Sequence, residues 1–234
     1  MKKNLKYLVW LFIILAVFAA IIIVSNIITN KNKSEVKIAI SENKASSYTA
    51  ERTPVLEEGD LIIGDKKNDL LVFVYEDYAN IYSANLAETL SRLLKEYPDL
   101  TIISRPYFSD SETISRQAAL AVSCASEDGK GQEMRNLLFD KTKKEELFYS
   151  DFNSYAEELT LETDDFSVCL TNKEKSEKLD EELKKTGTYS VIGAPTIFID
   201  GEIIIGARPY EDYIDSNNDS IEGLKNIIER KLGK

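Results

Sequence analysis

Histidine is missing from this chain altogether. That absence removes serine–histidine–aspartate and cysteine–histidine nucleophile systems, along with every metal site built on imidazole. Cysteine occurs only at Cys124 and Cys169, too few for a four-thiolate zinc site. No G-x-G-x-x-G follows a strand-like run, so nothing supports a nicotinamide or flavin site. No cofactor and no metal are therefore expected. Basic residues are also in deficit: 29 Lys and Arg face 40 Asp and Glu, for a formal net charge of −11. A phosphate backbone needs clustered cations, so no nucleic-acid partner is expected.

What is present begins with a long apolar run. Residues 7–28 (YLVWLFIILAVFAAIIIVSNII) carry no charge. At about 1.5 Å per residue such a helix spans roughly 30 Å, the thickness of a bilayer core. Lys2, Lys3 and Lys6 precede it, and the positive-inside rule then keeps residues 1–6 in the cytoplasm. The expectation is a single-pass signal anchor in a bacterial-type cell membrane, with the lipid bilayer as partner and the C-terminal domain extracytoplasmic. A cleaved signal peptide is the competing reading. Val17-Phe18-Ala19 offers a small-residue site, but Ile21-Ile22-Ile23 follows it, and secretory apolar cores run only about 7–15 residues. No lipobox cysteine is present.

Residues 29–59 are polar and of mixed charge, as in an extracytoplasmic tether, with a short strand at 36–40. The folded domain is placed at 60–234, long enough for a substantial core. Residues 70–75 (LLVFVY) form a strand-length apolar run suited to a sheet buried on both faces. Residues 83–95 place Leu86, Leu90, Leu93 and Leu94 on one helical face, and a second strand follows at 100–104. A β-α-β unit of this length calls for a parallel pair. Residues 112–186 lack strand signals and read as helices at 114–125, 131–139, 152–159, 164–170 and 173–185. Strands resume at 196–199 and 202–205, joined by Asp200-Gly201, a strong hairpin signal. A helix at 220–232 closes the domain. The acidic pairs Glu157-Glu158 and Asp164-Asp165 read as solvated faces and caps.

Several strings in this order resemble the DsbA-like branch of the thioredoxin superfamily. They are VFVYEDY at 72–78, the Ala118-Ala119 to Cys124-Ala125 stretch, EMRNLLF at 133–139, VIGAPTIFIDG at 191–201 and GARPY at 206–210. The resemblance runs from about Asp60 to the C-terminus. It implies an α/β, thioredoxin-like fold with an inserted helical subdomain at about 112–186. Family members carry Cys-x-x-Cys directly after the Asp-Tyr of the first strand. Here Asn80 stands at the nucleophilic position and Ser83 at the resolving one.

That departure is chemical. Disulfide exchange needs a thiolate to attack sulfur and a second thiol to release the mixed disulfide. The Asn80 amide has no proton to lose, and without histidine nothing activates the Ser83 hydroxyl. A helix dipole contributes about 1 kcal/mol, up to roughly 2, far too little to turn serine into a nucleophile. No catalytic residue is assigned. Asn and Ser are favoured helix caps, and capping stands beside a ligand-contacting role for both residues.

The resemblance also implies a cis-proline at Pro195, with Ala194 presenting backbone groups to an extended peptide. Pro195 shaping the strand entry alone is the other reading. Tyr78, Asn80, Tyr82, Ser83, Ala194 and Pro195 thus form the candidate peptide-binding set. Among the 12 tyrosines, Tyr75, Tyr78, Tyr82, Tyr107 and Tyr210 are candidates to ring this surface, with core packing the competing role of each. Cys124 and Cys169 occupy positions that resemble cysteines of some DsbA-like proteins. In an oxidising compartment a structural disulfide between them is the leading reading, with two buried thiols and a displaced redox pair as the alternatives. The leading function is a redox-inactive polypeptide-binding or chaperone-like module, its partner an extended or unfolded polypeptide or a membrane-associated protein. The alternatives are an oxidoreductase working through Cys124 and Cys169 or a partner's cysteine, and a structural subunit of a membrane assembly.

Overall fold

The computed structural model describes residues 48–49, 53–68, 70–109 and 113–233. Its centre is a parallel pair, β3 (Leu70–Glu76) and β4 (Leu100–Pro106), joined by helix α1 (Ile81–Glu96). Strands β5 (Thr196–Ile199) and β6 (Glu202–Ile205) add antiparallel on the other side of β3, with Tyr75 opposite Thr196 and Thr196 opposite Ile205. The β5–β6 turn needs positive φ at two successive residues. Asp200 (46°) and Gly201 (76°) supply it. Short edge strands β1 (Tyr48–Thr49) and β2 (Leu61–Ile63) complete the order β1-β6-β5-β3-β4-β2.

Side chains alternate across β3. Val72 and Val74 pack with Leu86, Leu90 and Leu93 of α1 and with Ile227 and Ile228 of the C-terminal helix α7 (Leu224–Leu232). Phe73 and Tyr75 face the opposite side with Ile103, Val191 and Phe198. Both faces are therefore covered, which is why β3 reads as an unbroken apolar run.

Between β4 and β5 lie α2 (Thr113–Glu127), α3 (Gly131–Lys143), α4 (Phe152–Glu158), α5 (Thr163–Leu170) and α6 (Lys173–Thr186). The side chains of Ala118, Ala119, Ala121 and Ala125 in α2 are all buried, so small residues let the neighbouring helices approach. A Cβ at Gly131 would meet Ser126 Cβ at 3.0 Å and Leu61 Cδ1 at 3.1 Å, which suits the start of α3 to glycine. Cys124 of α2 and Cys169 of α5 are joined by a disulfide, with Cα atoms 5.9 Å apart.

Three differences from the sequence reading stand out. Part of the stretch assigned to the tether belongs to the sheet: Tyr48 and Thr49 pair with Ile203 and Glu202. Farther along, Arg105 forks onto Asp60 (2.6 and 2.8 Å) and donates to the Val55 carbonyl at 2.6 Å, holding residues 55–60 against β4. The last helix starts at Leu224 rather than 220, because Ser220–Ile221 forms β8 against β7 (Tyr213–Ile214). Gly223 caps that helix at a spot where a Cβ would overlap the backbone of Tyr210 and Glu211. Thirdly, α1 begins at Ile81, two positions before Ser83. The proposed anchor at 7–28 and strand at 36–40 lie outside the described residues. Among the described residues, no helix is long and apolar enough to cross a membrane.

The disulfide closes a 45-residue separation, and the chain-entropy model assigns such a loop about 4 kcal/mol. A Cys124→Ala/Cys169→Ala double variant should lose stability of that order in urea unfolding. A midpoint equal to wild type would show that the bond adds nothing to the fold.

Candidate functional site

β3 ends at Glu76, and a turn through Asp77–Asn80 delivers the chain to α1. Asn80 donates its N–H to the Asp77 carbonyl at 3.0 Å and adopts φ −107°, ψ 129°. From this extended conformation its Oδ1 accepts the N–H of Tyr82 (2.8 Å) and of Ser83 (3.2 Å). Asn80 is thus the N-cap, satisfying donors that no helical carbonyl reaches. Ser83 is not a cap. It is fully buried in the first turn, where its Oγ accepts the Asp77 N–H at 3.2 Å.

Beneath this turn lies a buried polar network. Arg135 grips Glu76 bidentately, Nε to Oε1 at 2.5 Å and Nη2 to Oε2 at 2.8 Å, with both side chains buried. Ser104 Oγ donates to the same Oε1 at 2.5 Å. Its proton being used there, Tyr78 OH must donate to Ser104 Oγ, 3.0 Å away. Burial, and next the Glu76 carboxylate, push the Tyr78 phenol far above its ordinary range, so it stays protonated. Burial by itself would lower Arg135, but Glu76 outweighs that and raises it. Asp77 Oδ1 accepts the Ala79 N–H (2.8 Å), and Oδ2 accepts from Ser115 Oγ (2.9 Å). These groups shape the turn.

The second half of the surface comes from the loop before β5. The Ala194–Pro195 bond is cis. Because Tyr75 pairs with Thr196, this bond lies beside the point where β3 leaves the sheet for Asp77. Pro195 is anchored by the Gly206 N–H on its carbonyl (2.8 Å), and Thr196 Oγ1 donates to the Gly193 carbonyl (2.6 Å). Among the described residues, Ala194 makes no backbone hydrogen bond.

Of the predicted peptide-binding set, Tyr82 is 63% exposed, Asn80 and Ala194 are half-buried, and Tyr78, Ser83 and Pro195 are buried. The last three support the surface from below. The expected tyrosine ring is reduced accordingly. Tyr75 stacks edge-on against Phe198 in the core, Tyr107 packs against the same cluster, and Tyr210 sits at the far end of α1 under Arg92. Sequence reasoning passed over Ile81 and Ile192, which are 42% and 73% exposed and flank the surface. Their signal was local: residues 78–87 and 187–199 carry no charged side chain in a chain that is 29% charged.

The disulfide lies away from this turn, between α2 and α5. Cys169 is half-buried and, with Cys124, lines a cavity of about 420 Å³ bordered by Glu127, Asp128, Glu162 and Asp165. A larger groove of about 510 Å³ runs under Tyr78 between α2 and α6, past Leu120, Lys178, Leu179 and Glu182. Burial raises the Glu182 carboxyl, against the pull of Lys178 and Lys185.

A thioredoxin family profile matches residues 56–229. Among curated proteins, the Na(+)/H(+) antiporter NhaA 3 of Salinispora tropica is 28% identical over 149 residues, 63% of this chain and 22% of the antiporter. NhaA 1 of Salinispora arenicola is 27% identical over the same shares. The chain thus spans about a fifth of these relatives' length. Among solved structures, oxidised BdbD from Bacillus subtilis superposes with a TM-score of 0.63 at 15% identity, over 82% of this chain and 100% of that one. A periplasmic thioredoxin-like protein from Salmonella enterica serovar Typhimurium gives 0.60 at 20%, over 76% and 92%. A thioredoxin-like oxidoreductase from Silicibacter pomeroyi gives 0.61 at 15%, over 76% and 95%. At these identities the superpositions establish the fold.

Two substitutions test the site's framework. Arg135→Met strands the Glu76 carboxylate in the interior and should cost about 3–5 kcal/mol in urea unfolding; a loss under about 1 kcal/mol would mean the pair is dispensable. Glu182 has a folded pKa raised above the ordinary 4.5. The folded state therefore holds a proton that the unfolded chain has released, and stability falls as pH climbs from 4.5 through the raised value. Glu182→Gln should raise Tm at pH 7 and flatten that decline, whereas an unchanged pH profile would contradict the assignment.

Proposed function

The chain belongs to the thioredoxin family, and on that premise we propose that it is a membrane-anchored, redox-inactive module of DsbA-like form that binds extended polypeptide without covalent chemistry. One observation carries this reading. The helix N-terminus where the family places a nucleophilic thiol is closed by the Asn80 side chain, while the Ala194 backbone has no backbone partner among the described residues. An extended peptide pairs with such a backbone segment as an added strand. That interaction needs no sulfur.

The anchor follows from the apolar run at 7–28 and the lysines before it. It places the domain at the outer face of the membrane, within reach of unfolded or membrane-associated chains. Sodium–proton antiport is the named activity of the curated relatives, of whose length this chain spans about a fifth.

A second reading is supported by the disulfide itself, whose half-buried Cys169 borders a cavity. In that reading Cys124 and Cys169 trade electrons with client thiols. The carboxylates around the cavity argue against it, because they disfavour both a thiolate at the site and the approach of one. Neither cysteine begins a helix: Cys124 lies well inside α2, and Cys169 is the penultimate residue of α5.

Peptide titration of the full chain in detergent, read by fluorescence anisotropy, separates these readings. A short labelled peptide of alternating valine and serine should bind wild type, and Ile192→Asp should weaken it at least about tenfold, the equivalent of 1.4 kcal/mol. In a parallel insulin-reduction assay the wild type should be inert. Turnover that disappears in Cys124→Ser would establish the second reading instead. Asn80→Cys with Ser83→Cys should gain exchange activity, since the helix N-terminus would then lower a thiol pKa; a folded, oxidisable but inactive variant would show that the site is misplaced.

A further inference from the structure

The Asn80 amide is oriented, and its orientation has a direction for ligand binding. Two backbone N–H groups, of Tyr82 and Ser83, converge on one atom of this side chain. Only the carbonyl oxygen can accept them, so the assignment of Oδ1 and Nδ2 is fixed by chemistry. Nδ2 carries two protons and has no partner among the described residues. Asn80 is half-buried, so this donor sits at the surface and not in the core. Resting on the proposed peptide site, we infer that Asn80 Nδ2 is a specificity-determining donor to a backbone carbonyl of an extended, uncharged polypeptide segment whose main chain pairs with Ala194.

Three observations select that class of ligand. A donor with no charge of its own favours a neutral acceptor, and a peptide carbonyl is the acceptor that an extended chain presents at regular intervals. The N–H and C=O of Ala194, without a backbone partner among the described residues, complement the N–H and C=O of the same kind of segment. The flanking side chains Ile81, Tyr82 and Ile192 are apolar and exposed, and the segments that carry them, 78–87 and 187–199, hold no charge. A charged peptide would lose hydration there with no counter-charge in return. The substitution of cysteine by asparagine thus replaces a bond-forming atom by a hydrogen-bond donor, leaving the cap in place.

The cap and the donor are separable by one atom. Asn80→Asp keeps an oxygen for the Tyr82 and Ser83 N–H groups, and aspartate caps as well as asparagine. It removes the donor and turns an acceptor toward the peptide carbonyl. With the full chain in detergent and the labelled valine–serine peptide as probe, Asn80→Asp should bind at least about tenfold more weakly while retaining the wild-type Tm. Replacing the probe's central serines by glutamate should weaken wild-type binding by a similar factor. In the wild type, the Asn80 side-chain amide resonances should shift as the valine–serine peptide is added, a readout that capping alone would leave still. Equal affinity of Asn80→Asp and wild type, or unmoved amide resonances at peptide saturation, would overturn the inference; if Ile192→Asp still abolished binding, the peptide site would survive that failure. Absence of any binding by wild type would remove both.

Discussion

The first turn of α1 leaves backbone N–H groups that no helical carbonyl can reach, and Asn80 accepts two of them through one oxygen. The local architecture follows from that arrangement. It fixes where the helix begins and sets the Asp77–Asn80 turn. It also brings Ser83 back onto the Asp77 N–H, so that the turn is held from both ends. In a thiol-bearing relative the same helix terminus would stabilise a thiolate. Here the positive end of the helix meets an amide, and the electrostatic advantage is used for capping.

Support for that turn comes from below. Glu76, Arg135, Ser104 and Tyr78 form a buried chain of hydrogen bonds linking β3, β4 and the inserted α3 to the loop. A buried ion pair is weak evidence of added stability, because desolvation offsets much of its attraction. Its clearer consequence is geometric: α3 cannot slide relative to the end of β3 without stranding a charge. Thr142 at the other end of α3 adds a contact to the Tyr78 carbonyl at 3.2 Å. The inserted helices therefore act as a rigid buttress for a surface whose own side chains are mostly neutral.

Much of this was legible in the residues. The apolar run of β3, the Asp200-Gly201 turn and the leucine stripe of α1 reflect burial and backbone conformation, which act locally and leave periodic or pairwise marks. The inserted helices were found for the same reason. Strands β1, β2, β7 and β8 were not, because two or three residues carry no periodicity and form only when a partner strand is already in place. Asn80 could be named as a cap from its residue type. The burial of Ser83 and Tyr78 could not, since Tyr78 meets Ser104, distant in sequence, and Ser83 turns back onto the Asp77 N–H. Ile192 was quoted only as part of a motif, and its exposure is a property of the folded loop that no residue type announces. Cys124 and Cys169 were named as a pair from the sequence, and the approach of α2 and α5 that joins them sets aside the reading of two free thiols.

Non-covalent peptide binding requires that the Ala194 backbone meet a client chain without sulfur being involved. Amide hydrogen exchange at Ala194, measured on the full chain with and without saturating valine–serine peptide under a thiol-blocking quench, addresses this directly. Marked slowing of that amide on peptide addition is expected, with no adduct mass on either cysteine. Exchange at Ala194 unchanged by a bound peptide, or a mixed disulfide recovered on Cys124 or Cys169, would contradict it.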